Sequence, residues 1–137
     1  MNTFKLNILA ADKTFYIGDA ISLIIPTTEG QYGILAHHRN MIAATVPGKL
    51  KYVTPDGHEQ IAAISSGLVK VEDNEVLVLA ESAERPEEID INRAKRDAAY
   101  AKEMLLHKQS IRDFHSAQSQ IARALNRIRI KEEHDIH

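Results

Sequence analysis

The stretch Glu84-Arg85-Pro86-Glu87-Glu88 decides the fold, because the hydrophobic period of the chain changes across it. Before it, apolar residues alternate with polar ones in short runs rich in β-branched side chains. After it, alanine and arginine recur with a period of about 3.6. Two structural elements are joined there, short strands before it and room for little except two helices after it.

Working back from that junction, Glu75 to Ala80 is a strand-length apolar run, separated by Asp73-Asn74 from an alternation through Val69 and Val71. Ile61, Ala63 and Ser65 alternate toward Gly67. Leu50 to Val53 ends at Pro55-Asp56-Gly57, Met41 to Val46 ends before Pro47-Gly48, and Ala20 to Ile25 ends at Pro26. Near the start, Phe4, Leu6 and Ile8 share one face of a half-buried strand. Eight to ten short strands at turn-marked intervals predict a β-sandwich or flattened barrel over residues 1–85. Gly30-Gln31-Tyr32-Gly33 and Gly67 read as backbone punctuation, the first as a glycine-bounded loop able to present Ile34, Leu35, His37 and His38 to a partner.

Working forward, Asp90 is a good helix N-cap. Ile91, Ala94, Ala98, Ala101 and Leu105 then step by three and four along one helical face. His107-Lys108-Gln109 reads as a connection and Ser110 as a second cap. Ile111, Phe114, Ala117, Ile121, Leu125 and Ile128 form another stripe. Residues 86–137 are therefore predicted to be an antiparallel two-helix hairpin with a frayed end at Lys131 to His137. A stripe made mostly of alanine allows close approach and buries little area, so at ~25 cal/mol per Å² the packing is weakly held.

The 137 residues carry a net charge of -2, contain no cysteine and have 44% hydrophobic residues. A whole-chain attraction for nucleic acid is excluded, and no run approaches the ~20 apolar residues of a spanning helix. The start lacks the regions of a signal peptide. A disulfide framework and a thiolate site are excluded too. No catalytic motif is present, and enzymatic activity by this chain alone is not expected. His37 and His38, with Glu29 or His58, invite a metal reading, but neighbouring side chains on an extended segment point to opposite faces.

The charge is divided unevenly. Residues 1–85 hold 7 Lys and Arg against 10 Asp and Glu, while residues 86–137 hold 10 against 9, with Arg123, Arg127 and Arg129 near the end. In an antiparallel hairpin, Asp90, Arg93, Arg123 and Arg127 would share one neighbourhood. They would form either solvated ion pairs worth ~0 to 1 kcal/mol each or an anion site in which guanidinium forks hold phosphate.

Taken together, Gly30-Gln31-Tyr32-Gly33-Ile34-Leu35-Ala36-His37-His38, Ser66-Gly67-Leu68-Val69-Lys70-Val71, Ile89-Asp90-Ile91-Asn92-Arg93-Ala94 and Ala124-Leu125-Asn126-Arg127 resemble, in this order and spacing, the epsilon-subunit family of rotary F-type ATP synthases. The resemblance covers essentially the whole chain. It departs at Ser66, where a glycine is common, at Gln31, where an acid is frequent, and at Tyr100, where some members have a basic residue. It implies a ten-stranded β-sandwich followed by a helical hairpin, in a non-catalytic subunit of the central stalk. The implied partners are the gamma subunit, the ring of c subunits and the alpha/beta catalytic hexamer. The implied location is the cytoplasmic face of a bacterial cell membrane, without insertion into it. Gln31 and His38 match positions at the ring. Arg123, Arg127 and Arg129 match the segment that inhibits ATP hydrolysis when the hairpin extends toward the catalytic subunits. No cofactor is required. ATP is implied as a regulatory ligand, at Glu84, Asp90, Arg93, Arg123 and Arg127. Two other classes remain open from the residues themselves, a stand-alone adaptor for partner helices and a cupin-like metal site.

Overall fold

A computed structural model describes residues 2–107 and 111–136. The chain divides into two compact units, Met1–Arg85 and Pro86–His137.

The first unit contains ten strands: β1 (Phe4–Ala10), β2 (Thr14–Ala20), β3 (Ser22–Thr27), β4 (Gly30–Leu35), β5 (Met41–Thr45), β6 (Gly48–Val53), β7 (Glu59–Ile64), β8 (Gly67–Glu72), β9 (Glu75–Ala80) and β10 (Ala83–Glu84). They run in the order β10-β7-β6-β3-β5-β8-β9-β1-β2, with β4 also on β3. The joint between the halves of this path is slight. β3 and β5 share one residue pair, Thr27 with Thr45, beside a bond from the Val46 amide to the Pro26 carbonyl at 3.1 Å. The halves fold over at that corner and close a common core. Leu23, Ile25, Leu50, Tyr52, Ala62 and Ile64 come from one side of it, and Phe4, Leu6, Ile8, Val69, Val71, Val76 and Val78 from the other. All pairings are antiparallel except β1 with β9. Gly67 is obligatory where β8 meets β9, since a Cβ there would lie 1.8 Å from the Leu79 carbonyl oxygen.

Three sequence expectations are corrected here. Gly30 to Leu35 is not a loop but strand β4, paired along its length with β3. Of its glycines, Gly30 has the positive φ (108°) that the tight turn requires. Ala20 to Ile25 is not one strand, because Ala20 closes β2 and β3 begins at Ser22, the Ile21 amide between them bonding the Val53 carbonyl at 2.8 Å. Pro26 does not end β3. The β6 ladder stops at Ile24, so the missing amide of Pro26 costs nothing on that side.

In the second unit, a 3-10 turn over Pro86–Glu88 leads to α1 (Ile91–His107) and α2 (Ile111–Ile136), which pack on each other. Asp90 caps α1, its Oδ1 accepting from the Arg93 amide at 3.1 Å. Its carbonyl accepts from the Ala94 amide at 3.0 Å. The small-residue stripe is buried as Ala94, Ala98 and Ala101 on α1, with Ala117, Ala124 and Ile130 on α2. Leu125 is 45% exposed, a correction to the expected second stripe. Seven residues of an α-helix make nearly two whole turns from Ala117, so the inward position is Ala124 and its neighbour is rotated away. α2 also continues through the segment expected to fray, with Lys131 and Asp135 paired at 3.6 Å one turn apart. The expected connection at Lys108-Gln109 and the cap Ser110 lie outside the described residues, as do the side chains of Leu105, His107, Ile111 and Phe114.

Candidate functional site

Two places in the molecule carry residues singled out above, and one carries residues that were not. The first is the end of the sandwich at β4. Alternation along that strand turns Tyr32 and Ile34 toward the core and leaves Gln31, Gly33 and Leu35 exposed. His38 reaches back to the inward-facing side. Its Nδ1 lies 2.8 Å from the Arg39 carbonyl, which can only accept, so Nδ1 carries the proton. In the neutral ring, Nε2 then accepts from the Tyr32 hydroxyl at 2.9 Å. The two rings meet edge to face, 5.6 Å between centroids. Gln31 and His38 thus differ in setting, Gln31 exposed on β4 and His38, beyond the end of that strand, turned back onto Tyr32.

Both ring nitrogens of His38 are taken up within the protein. His58 belongs to the turn between β6 and β7, where its Nδ1 bonds Asp56 at 2.7 Å. Asp56 also accepts from the Thr54 hydroxyl, and these donors hold its carboxyl down at about 2, Thr54 first and His58 second. His37, His38 and His58 therefore do not converge, and among the described residues no group of three potential metal ligands comes together.

The second place was not anticipated from the sequence. On the outer face of β5-β8-β9-β1-β2, cross-strand pairing aligns Ile42, Lys70, Leu77, Asn7 and Ile17 in one row. Ala44, Leu68, Leu79 and Leu9 form a second row beside it. Ile42 is 72% exposed, Ile17 62%, Leu79 39% and Leu68 38%. An outward sheet face would ordinarily be polar. The available signal was apolar residues at the out-of-phase positions of strands whose inward positions were already apolar, as in Leu68-Val69 and Leu79-Ala80.

The third place is the hairpin. Asp90 is exposed, and the Arg93 backbone amide, ahead of the nearby arginines, holds its carboxyl below the usual range. Arg93 is also exposed, while Arg123 and Arg127 are half-buried. The Arg127 Nη1 lies 3.9 Å from Asp97 Oδ2, which sets this part of α2 beside the second turn of α1. Asp97 was not among the predicted residues, although it stands seven positions from Asp90, two turns along the same face. The Arg129 Nη2 donates to Asn126 Oδ1 at 3.0 Å. Glu84 lies in the other unit, in β10 opposite Ala63. Of these groups, the Arg127 guanidinium is set beside the Asp97 carboxylate, a pair of the kind that can exchange its carboxylate for a phosphate.

Two family models match the chain, the β-sandwich domain of the ATP synthase delta/epsilon chain over residues 3–86 and its long α-helix domain over residues 87–132. The ATP synthase epsilon chain of Ruminococcus albus is 44% identical over 131 residues, covering 95% of this chain and 97% of the relative. That of Clostridium novyi is 41% identical, covering 92% and 95%. The sodium ion specific ATP synthase epsilon chain of Propionigenium modestum is 33% identical, covering 100% and 99%. Among solved structures, a chain of the Euglena gracilis mitochondrial ATP synthase (OSCP/F1/c-ring) superposes with a TM-score of 0.79 at 20% identity, covering 100% of this chain and 83% of that one. A chain of the Tetrahymena thermophila central stalk and c-ring superposes with 0.69 at 13% identity, covering 93% and 95%. These two likenesses concern the fold alone.

Proposed function

The chain belongs to the family of ATP synthase delta/epsilon chains, and we propose that it works as a non-catalytic subunit of the central stalk, coupling rotor rotation and proton or sodium transport to ATP synthesis. The observation that carries this reading is the apolar outer face built by Ile42, Leu68, Leu79 and Ile17. Large apolar side chains exposed together on a strand face, here interleaved with Lys70 and Asn7, mark a protein interface, and the gamma subunit is the partner assigned to it. The β4 end, with Gln31 and His38, faces the ring of c subunits. No described helix is long and apolar enough to cross a membrane. Attachment is then through the ring, at the cytoplasmic face of a bacterial cell membrane.

The hairpin is assigned the regulatory role. Ala94, Ala98, Ala101, Ala117 and Ala124 are buried in the hairpin. Each contributes less than a leucine would by about 2 kcal/mol, so separating the helices is inexpensive. Once extended, Arg123, Arg127 and Arg129 pair with acidic segments of the alpha/beta hexamer and restrain ATP hydrolysis. ATP bound at Asp90, Arg93, Arg123 and Arg127 acts in the opposite sense, since a ligand of the folded state shifts the equilibrium toward it.

Co-assembly tests the reading. The full chain, produced with gamma and the alpha/beta subunits, is expected to elute with them in one stoichiometric complex through size exclusion. Elution as a free monomer in their presence refutes it.

A further inference from the structure

Two asparagines tie the loop between β4 and β5 to a turn more than thirty residues away in sequence. The Asn74 Oδ1 accepts from the His37 amide at 2.7 Å, and its Nδ2 donates to the Thr3 carbonyl at 3.0 Å. In return, Asn40 Oδ1 accepts from the Asp73 amide at 3.0 Å. The orientation of the Asn74 amide is fixed by these partners, because an N–H needs an acceptor and a carbonyl needs a donor. Only an uncharged side chain with both functions, short enough to reach from the turn, satisfies the two together. His37 has φ 63°, which a non-glycine residue adopts at a cost of roughly 1–2 kcal/mol, and its amide is the group that Asn74 holds. Asp73 and Asn74, at φ 50° and 61°, form the turn between β8 and β9, a conformation that these two residue types tolerate.

We propose that Asn74 is a positioning residue, which locks the loop at 36–40 into one shape before any partner arrives. The shape itself rests on the hydrogen bonds above. Its use in docking rests on the assignment of this end of the sandwich to the c ring. A preformed loop binds without having to be ordered at the moment of contact.

Asn74→Gly separates the two jobs of the residue, since glycine adopts the positive φ more readily and removes the side-chain bonds. Asn74→Ala removes the same bonds and also strains the turn. In the full chain, amide hydrogen exchange at His37 is expected to accelerate in both variants by about tenfold, one hydrogen bond's worth. The amides of Tyr52 and Val78 are expected to keep their parent rates in Asn74→Gly and to accelerate in Asn74→Ala. Unchanged exchange at His37 in Asn74→Gly overturns the proposal, and so does acceleration shared equally by Tyr52 and Val78 in that variant. A second arm uses cross-linking of Gln31→Cys to the c ring in the assembled synthase, expected to fall when Asn74→Gly is added. An undiminished cross-link overturns the positioning role in docking. Failure of Gln31→Cys to cross-link in the parent background refutes the ring assignment, and the exchange measurement still decides the lock.

Discussion

Replacing Ile42 or Ile17 with aspartate tests the apolar band at its two ends. The row from Ile42 to Ile17 crosses five strands, so the two sites are roughly 19 Å apart at ordinary strand spacing. Complete burial of an isoleucine yields about 1.5–3 kcal/mol. With 72% and 62% of these residues still exposed, about 1–2 kcal/mol remains for a partner to gain at each. A carboxylate in the same place has to be desolvated, adding about 1–3 kcal/mol. The total is about 3 kcal/mol per site, or roughly 150-fold in Kd for gamma. The two effects should differ in a defined direction. Aspartate at 42 would face Lys70 across the ladder and keep part of its interaction, whereas at 17 it would face Asn7. Sites this far apart couple weakly, so the double variant should multiply the two losses. The free chain should be nearly indifferent, because lost strand preference of about 1 kcal/mol changes Tm by only a few degrees. Titration calorimetry with purified gamma, alongside a thermal melt of each variant, reads both quantities. Parent affinity in two variants that melt like the parent refutes the assignment of this face. A loss at one end alone confines the interface to that half of the sheet.

Gly67→Ala should destabilise the sandwich by about 3 kcal/mol or more in urea unfolding, since its Cβ would collide with backbone at Leu79. Gly33→Ala, whose Cβ would meet nothing within 4 Å, should stay within about 0.5 kcal/mol. Thr54→Val should raise the Asp56 pKa from about 2 toward 3.8 in an NMR titration. Because the folded value is the depressed one, the stabilisation linked to Asp56 is present above its unfolded pKa and is lost as pH falls through the folded value. Thr54→Val should therefore flatten the dependence of stability on pH between about 4 and 2. Alanine at Arg123, Arg127 and Arg129 together should speed ATP hydrolysis by the assembled synthase, and an unchanged rate refutes the inhibitory role. Calorimetry on the full chain should detect ATP binding that weakens at least tenfold in Arg127→Ala, while the absence of heat at millimolar ATP excludes the site.

What was legible in the sequence was what repeats. The strand β9 from Glu75 to Ala80, the cap at Asp90 and the alanine stripe followed from period and turn chemistry, which act within a few residues. Strand β2 escaped because Ile17 faces outward and Gly18 faces inward, the reverse of an ordinary half-buried strand. β4 was masked by two glycines that it tolerates because β3 supplies its hydrogen bonds. β10 has only two residues, too few to show any period. The exposed band on the β5 side was hidden for a related reason, since alternation identifies one apolar face and is silent when both faces are apolar. Asp97 could not be paired with Arg127 before the rotation of α2 was known, and Leu125 shows that the phase of that helix was misjudged by one position.

The parallel pairing of β1 with β9 joins residues about seventy positions apart, and β1 lies inside the sheet, between β9 and β2. A growing chain therefore cannot complete its sandwich until Ala80 has cleared the ribosome, and until then the first strand has one open edge on which other chains can add. The hairpin needs only local contacts and is synthesised afterwards. By the time its arginines emerge, the β platform is able to be finished. A ribosome stalled near residue 70 should expose a sticky, unpaired first strand, whereas one stalled shortly after residue 110 should not.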